Sequence, residues 1–313
     1  KLWNASRFTL LNLSGYEAAP VTDDHLAFED RWLLSRLSSV TKEVTDKLEH
    51  YGYADAARAI YDFAWDEFCS FYIEMTKSRM QDVEAKPIAQ RVTAYALDQL
   101  LRLLHPMIPF VTEEVWGLLS QIAPQRGLTQ LSNATESIML ATWPEVDEQR
   151  IDPVIEHQFS LFQDVLRAIR EIRSRQNIAP KQEVEFSVAC SDEIVELLKP
   201  MDGYFQSMAN AHSVAWGQGI EPPVNSANVR VDAIEVFVDL KNFIDVEVEI
   251  ERNEKLLQKL QGQIQGKQKK LANENFVARA PEEVVHRERE GLAKLEEEVL
   301  SVTKSLETLR SQT

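Results

Sequence analysis

The side chains in this 313-residue sequence best suited to gripping another molecule are its clustered arginines and lysines. Arg167, Arg170 and Arg173 stand three apart, so they follow one helical edge, and Arg175 lies just beyond. A guanidinium offers a planar fork of donors that matches a phosphate or a carboxylate, and a group of arginines without lysines favours such recognition. Nearby counter-charges are few, Asp164 and Glu171, although a solvated helical face would look similar. A second basic set, Lys267, Lys269 and Lys270 with Arg279, fits contact with a polyanion. Arg252, Lys255 and Lys259 share one side of the same segment. Charge runs on exposed helices usually only solvate. The acidic Glu288, Glu290 and Glu296 to Glu298 could neutralise part of this set, which leaves the lysines near 270 as the better candidates.

Aromatic rings add a second kind of chemistry. Trp3 with Phe8, and Trp32 beside Arg31 and near Arg36, could serve as stacking platforms for bases, each worth about 1–3 kcal/mol. The competing role is core packing: Trp3 is expected in the core, and Trp32 fits either role.

Covalent chemistry has little support. The ten glycines form no phosphate-cradling loop, and neither a nucleophile elbow nor a His-Glu-x-x-His pair occurs. The six histidines are isolated, and His105, beside a proline, reads as packed or capping. Glu113 and Glu114 point about 100° apart on a helix, so they compensate a helix dipole more readily than they form an acid–base pair. Cys69 and Cys190 each lack a second cysteine nearby, which excludes a paired-cysteine zinc site and points to a reducing compartment.

The elements that must carry these residues are mainly helical. Leu33, Leu37, Val40, Val44 and Leu48 recur every three or four positions. A second helix is expected from Asp55, as N-cap, to Met80, with Ile60, Ala64, Phe68, Phe71 and Met75 as its stripe. A third covers Pro87 to Leu104, stopped by Pro106 and Pro109, and Thr112 is expected to cap a short helix whose first turn holds Glu113 and Glu114. Residues 1–150 therefore predict an antiparallel helical bundle, with 120–150 a looser connection. Residues 151–243 predict a small α/β module: a helix over Pro153 to Gln176, an alternating strand from Glu183 to Ala189, and β-rich sequence from Val229 to Leu240. In residues 244–313, Val246, Ile250, Asn253, Leu257, Leu260, Ile264, Lys267 and Leu271 keep an a/d heptad seam. Leu292, Leu295, Val299, Val302, Leu306 and Leu309 repeat it after a break at Asn273 to Pro281. That pattern predicts an antiparallel coiled-coil hairpin.

Bulk properties limit the partners. Hydrophobic content of 44% and charged content of 27% are ordinary for a soluble chain, and no apolar run is long enough for a membrane span. The net charge is −16, distributed as −8, −6 and −2 over the three regions, so composition leans against nucleic acid and requires any such surface to be a local patch. The chain opens without methionine inside a patterned segment, as the excised part of a longer protein would.

Several motifs nevertheless carry a resemblance. KLWNASRF at 1–8, EDRWLLSRL at 29–37, AWDEFCSFYIEMTKSRM at 64–80 and LLHPMIPFVTEEVW at 103–116 resemble the helical anticodon-binding domain of class I synthetases for valine, isoleucine and leucine. FIDVEVEIER at 243–252 with LANENFVARAPEEVVHRERE at 271–290 is similar to the carboxy-terminal coiled coil of valyl-tRNA synthetases, and IREIRSRQNIAPKQ at 169–182 fits the same pattern. An isoleucyl enzyme would usually end in cysteine-ligated zinc and a leucyl enzyme in a different compact domain; those relatives are the nearer alternatives. A protein-interaction scaffold with a coiled-coil tail is the alternative of another class.

The resemblance implies a bundle that grips the anticodon stem-loop of tRNA(Val) and an arm that packs on the elbow of the D and T arms. It places Asn4, Arg7, Arg31, Trp32 and Arg36 near the anticodon loop. Arg170, Arg173 and Arg175 fall along the stem, and Lys267, Lys269, Lys270 and Arg279 at the elbow. The ATP-binding signatures of such enzymes lie upstream, and Lys77 to Met80 only superficially looks like one. The implied chain thus has no cofactor of its own, with ATP and magnesium used by the parent enzyme, and is inactive alone. It would work as a cytoplasmic monomer attached to an upstream catalytic domain.

Overall fold

The computed structural model describes residues 2–243 and 246–272, and further along 288–292, 294–296, 299–300 and 302–303; the side chains of 246–253 are outside that description. Two compact units result, Lys1–Pro222 with Asn228–Val238, and Pro223–Ala227 with Asp239–Thr313.

The first unit begins as a helical bundle: α1 (Leu2–Asn12), α2 (Phe28–Glu49), α3 (Tyr53–Asp62), a π-helical stretch Phe63–Tyr72, α4 (Ile73–Met75), α5 (Lys86–Leu104), α6 (Pro109–Ile122) and α7 (Pro153–Arg175). Local chemistry sets the ends. Asp30 accepts from the Ala27 amide at 3.1 Å where α2 starts. Asp152 accepts from the Val154 and Ile155 amides to cap α7. Proline stands in the first turn of α5, α6 and α7, where its missing N–H has no partner to lose. Leu33, Leu37, Val40 and Val44 are buried as their spacing predicts, around a core that includes Phe63, Phe68, Tyr72 and Trp116. A two-stranded ribbon, β1 (Gln125–Arg126) and β2 (Ser132–Asn133), follows α6.

Two helical expectations change. Gly52, not Asp55, precedes α3, and Asp55 lies inside its first turn. The helix does not run uniformly to Met80. Its winding is wide from Phe63 to Tyr72, at whose end the Ile73 amide reaches back five residues to Phe68, and the α segment ends at Met75. There the Thr76 hydroxyl donates to the Tyr72 and Ile73 carbonyls and competes with continued winding. Thr112 likewise is no cap: Pro109 opens α6, so Thr112 sits within it and donates to the Ile108 and Pro109 carbonyls. Glu113 and Glu114 consequently fall beyond the first turn.

All but Ser226, Ala227 and Asp239 of a mixed sheet of order β4-β3-β6-β5 belong to the same unit. Its strands are β3 (Val184–Ala189), β4 (Ala211–Gly217), β5 (Ser226–Val231) and β6 (Ile234–Asp239), with α8 (Asp192–Leu198) and α9 (Asp202–Ala209) crossing from β3 to β4. β3 pairs in parallel with β4 and antiparallel with β6, in the register Phe186 to Val238 and Val188 to Val236. Val184, Phe186 and Val188 point inward, and Phe186 meets Phe205, which in turn meets Phe162 of α7. The module is thereby fastened to the bundle's last helix.

In the second unit, α10 (Val246–Leu271) is 26 residues long, roughly 39 Å at 1.5 Å per residue. From residue 254 onward only Leu257, Leu260, Ile264, Lys267 and Leu271 are shielded, which is the expected seam. Leu292, Leu295, Val299 and Val302 are half-buried in the returning segment. Glu288 reaches both Lys267 and Lys270, so that segment lies beside the end of α10. The expected break from Asn273 to Pro281, Arg279, the side chains of Val246, Ile250, Arg252 and Asn253, and Leu306 and Leu309 lie outside the described residues.

Candidate functional site

The face of α1 is the first candidate surface. Ala5, Ser6 and Thr9 turn inward against the bundle, which leaves Trp3, Asn4, Arg7 and Leu11 outward. Trp3 is therefore not core: it is 49% exposed and, with Arg7 and Leu10, lines a cleft of about 220 Å³ against Leu118 and Ile122 of α6. Asn4 and Arg7 are both exposed, as a binding role requires.

A neighbouring cleft of about 290 Å³ is lined by Leu2, Ile60, Tyr61, Trp65, Met107 and Ile108, among others. Tyr61 and Trp65 lie four residues apart, with ring centroids 5.4 Å apart and planes within 16°, and they remain 53% and 37% exposed. Sequence reading passed over this pair because Trp65 belongs to an apolar stretch that reads as stripe. The spacing of Tyr61 and Trp65, with Asp62 and Asp66 beside them, was the available signal of an outward face. Phe110, at 91% exposure, adds a further bare ring on α6.

The α2 candidates divide. Arg31 is exposed. Trp32 is 2% exposed and stacks on Phe159 of α7 at 3.5 Å, so it offers no face to a base and belongs to the core. Arg36 forms a bidentate pair with Glu67, at 2.8 and 3.0 Å, and reaches Glu156 at 3.0 Å. Burial opposes its charge, but Glu67 and Glu156 together raise its pKa further above the ordinary value. Glu156 also accepts from Ser35 and Ser39. Arg36 is thus a knot joining α2, the π stretch and α7, rather than a free cation.

The arginine edge of α7 is similarly committed. Arg173 is buried and donates to the carbonyls of Ala209, Ala179 and Gln182 at 2.5, 2.5 and 2.7 Å. Helix α9 ends just there, at Asn210 in the left-handed region with φ 47°, and a helix end leaves carbonyls without intrahelical partners. Arg173 supplies the donors, and burial pushes its pKa down. Arg170 is exposed at its edge and donates to the Met208 carbonyl at 3.1 Å, with burial also lowering its pKa. Arg167 pairs with Asp164 at 3.0 Å and Arg175 with Glu171. Arg167, Arg170 and Arg175 keep the exposure that phosphate contact needs, and Arg173 does not.

In the second unit, Lys267 and Lys270 do have a partner. Each ammonium donates to one oxygen of Glu288 at 2.6 Å, and these two bonds hold the Glu288 carboxyl down at about 2. Lys269 is exposed. Among the described residues, no three His, Cys, Asp or Glu side chains gather as metal ligands would, and no helix is long and apolar enough to cross a membrane. His105 bonds Thr112 at 2.8 Å, a packed arrangement.

These surfaces sit on a sequence with relatives. The model of the anticodon-binding domain of tRNA ligase matches residues 30–188, and that of the valyl tRNA synthetase tRNA binding arm matches 245–310. A valine–tRNA ligase of Rhodopirellula baltica is 50% identical, covering 100% of this chain and 30% of the relative. Those of Thermotoga maritima and Geobacter sulfurreducens are 37% and 39% identical, over 93% and 99% of this chain and 31% and 34% of the relative. The chain thus spans about a third of the length of the curated relatives it matches.

Proposed function

The chain belongs to the family of tRNA-ligase anticodon-binding domains and carries the tRNA-binding arm of the valyl type, and on that premise we propose that it recognises tRNA(Val) for a valine–tRNA ligase. The observation that carries this reading is the order of the two matched modules along one chain, each with an exposed surface suited to RNA. The bundle meets the anticodon loop through the α1 face of Trp3, Asn4 and Arg7, with Arg31, and its bases stack on the Tyr61 and Trp65 rings. The arm meets the elbow through Lys267, Lys269 and Lys270. Binding at two separated places fixes the tRNA's orientation, and such positioning lowers the cost of reaction at a distant centre.

The chemistry of valine activation, with ATP and magnesium, is assigned to parts of the ligase other than these residues, since no phosphate-cradling loop occurs among them. The chain works as a cytoplasmic monomer, a reading supported by Glu288 and Gly291 of the later segment, which lie against Lys267 of the α10 seam.

Filter binding tests the reading. The chain should hold a tRNA(Val) transcript more tightly than the same transcript with an altered anticodon. Equal affinity for both would sink anticodon recognition.

A further inference from the structure

Among the described side chains, the seam of α10 has one polar member at its shielded positions, Lys267. Opposite it stands Gly291, where an added Cβ would come within 2.8 Å of the Lys267 ammonium. A glycine there leaves the room through which the lysine crosses. Gly266 on the facing helix meets nothing within 4 Å, so the two glycines leave the hairpin notched. The notch is lined by Lys267, Lys270, Lys294 and Glu288 as well as the glycines, and has a volume of about 600 Å³. Three ammonium groups against a single carboxylate make it electropositive on a chain whose net charge is −16.

Glu288 meets the lysines in a particular way. Its two oxygens divide between two ammonium groups, Oε2 to Lys267 and Oε1 to Lys270. The non-bridging oxygens of a phosphodiester present the same pairing of two acceptors on one anionic centre. We infer that this notch is a seat for a single backbone phosphate of RNA, occupied by the Glu288 carboxylate until the RNA displaces it. The inference rests on the arm being an RNA-binding element, and it adds the site, its third lysine and the residue that holds it closed.

Such an arrangement makes the arm selective. An isolated phosphate must compete with a carboxylate tethered in place, so only an RNA already held elsewhere brings a phosphate at sufficient effective concentration. The lysines meanwhile do not attract stray polyanions.

The test uses the whole 313-residue chain and a tRNA(Val) transcript, with affinity measured across salt concentration and helix content checked by circular dichroism. Glu288→Gln keeps the shape but gives up the charge. It should tighten binding about three- to tenfold at low salt, because the phosphate no longer has to displace a tethered carboxylate. Lys294→Gln leaves the Glu288 pairs alone and should weaken binding severalfold with a shallower slope. A wild-type chain that binds tRNA while Glu288→Gln binds no tighter, with helix content retained, overturns the seat and leaves the tRNA reading standing. An unchanged Lys294→Gln overturns the seat as well, also if Glu288→Gln loses helix content. A wild-type chain that binds no tRNA overturns both.

Discussion

The Tyr204 hydroxyl donates to Glu29 at 2.5 Å, a bond that ties the sheet module's helix α9 to the first turn of α2. Glu29 and its neighbour Asp30 are both fully buried, and a single guanidinium, Arg79, lies 2.8 Å from each. Asp30 also accepts from Tyr72 at 3.0 Å. Two buried carboxylates with one cation leave a charge uncompensated, and the protein resolves this by shifting an acid's pKa.

Burial, with Glu29 adding to it and Arg79 opposing, pushes Asp30 up to about 6. Between its unfolded value near 3.8 and about 6, the folded state therefore binds more protons than the unfolded one. The stability that Asp30 contributes falls as pH rises through that window and is level above it. Asparagine does not titrate, so the stability of Asp30→Asn relative to wild type should climb, by on the order of 2 kcal/mol, from pH 4 to pH 6. Urea unfolding at pH 4, 5, 6 and 7 measures it, and a flat difference would remove the assignment.

Arg173 predicts a stability effect where sequence spacing suggested a binding one. Arg173→Met keeps the stem but leaves the Ala209 and Gln182 carbonyls without their donor, while the Ala179 carbonyl keeps the Gln182 amide, at a cost of about 3 kcal/mol. Arg175→Gln, which loses only an exposed pair with Glu171, should cost less than about 1 kcal/mol. Equal thermal stability of the two variants would contradict the clamp.

The aromatic residues separate in the same way. Trp32→Phe should lower unfolding stability by about 1–3 kcal/mol and leave RNA affinity unchanged once the chain is folded. Tyr61→Ala and Trp65→Ala should each weaken tRNA binding by about 1–3 kcal/mol while changing stability little. The reverse pattern would return Trp32 to the surface role and withdraw the Tyr61–Trp65 pair.

What could be seen in the sequence was what is local. The seam residues Leu257, Leu260 and Ile264 declare themselves by spacing, because each repeats within one turn or two. The alternation of Val184, Phe186 and Val188 does the same for β3. Trp32 could not be settled that way, since the ring that covers it, Phe159, lies 127 residues on. Arg173 looked free because its acceptors are backbone carbonyls, which every sequence contains and none displays. Glu288 was visible as a counter-charge to the basic set, but that it falls on Lys267 and Lys270 depends on where the later segment lies beside α10, which spacing alone does not fix.

The wide winding from Phe63 to Tyr72 has a consequence for how this domain can vary. One inward row, Ile60, Ala64, Phe68 and Tyr72, runs through it at a constant spacing of four and ends on buried Asp30, while Tyr61 and Trp65 face outward. The wide turn keeps residues spaced by four on one face, so a single row packs the core from Ile60 to Tyr72 while the opposite side leaves Tyr61 and Trp65 exposed. Loss of a single residue anywhere in it would retime everything after, swinging Tyr72 off Asp30 without altering one side chain. In this segment the number of residues is under as strict a constraint as their identity.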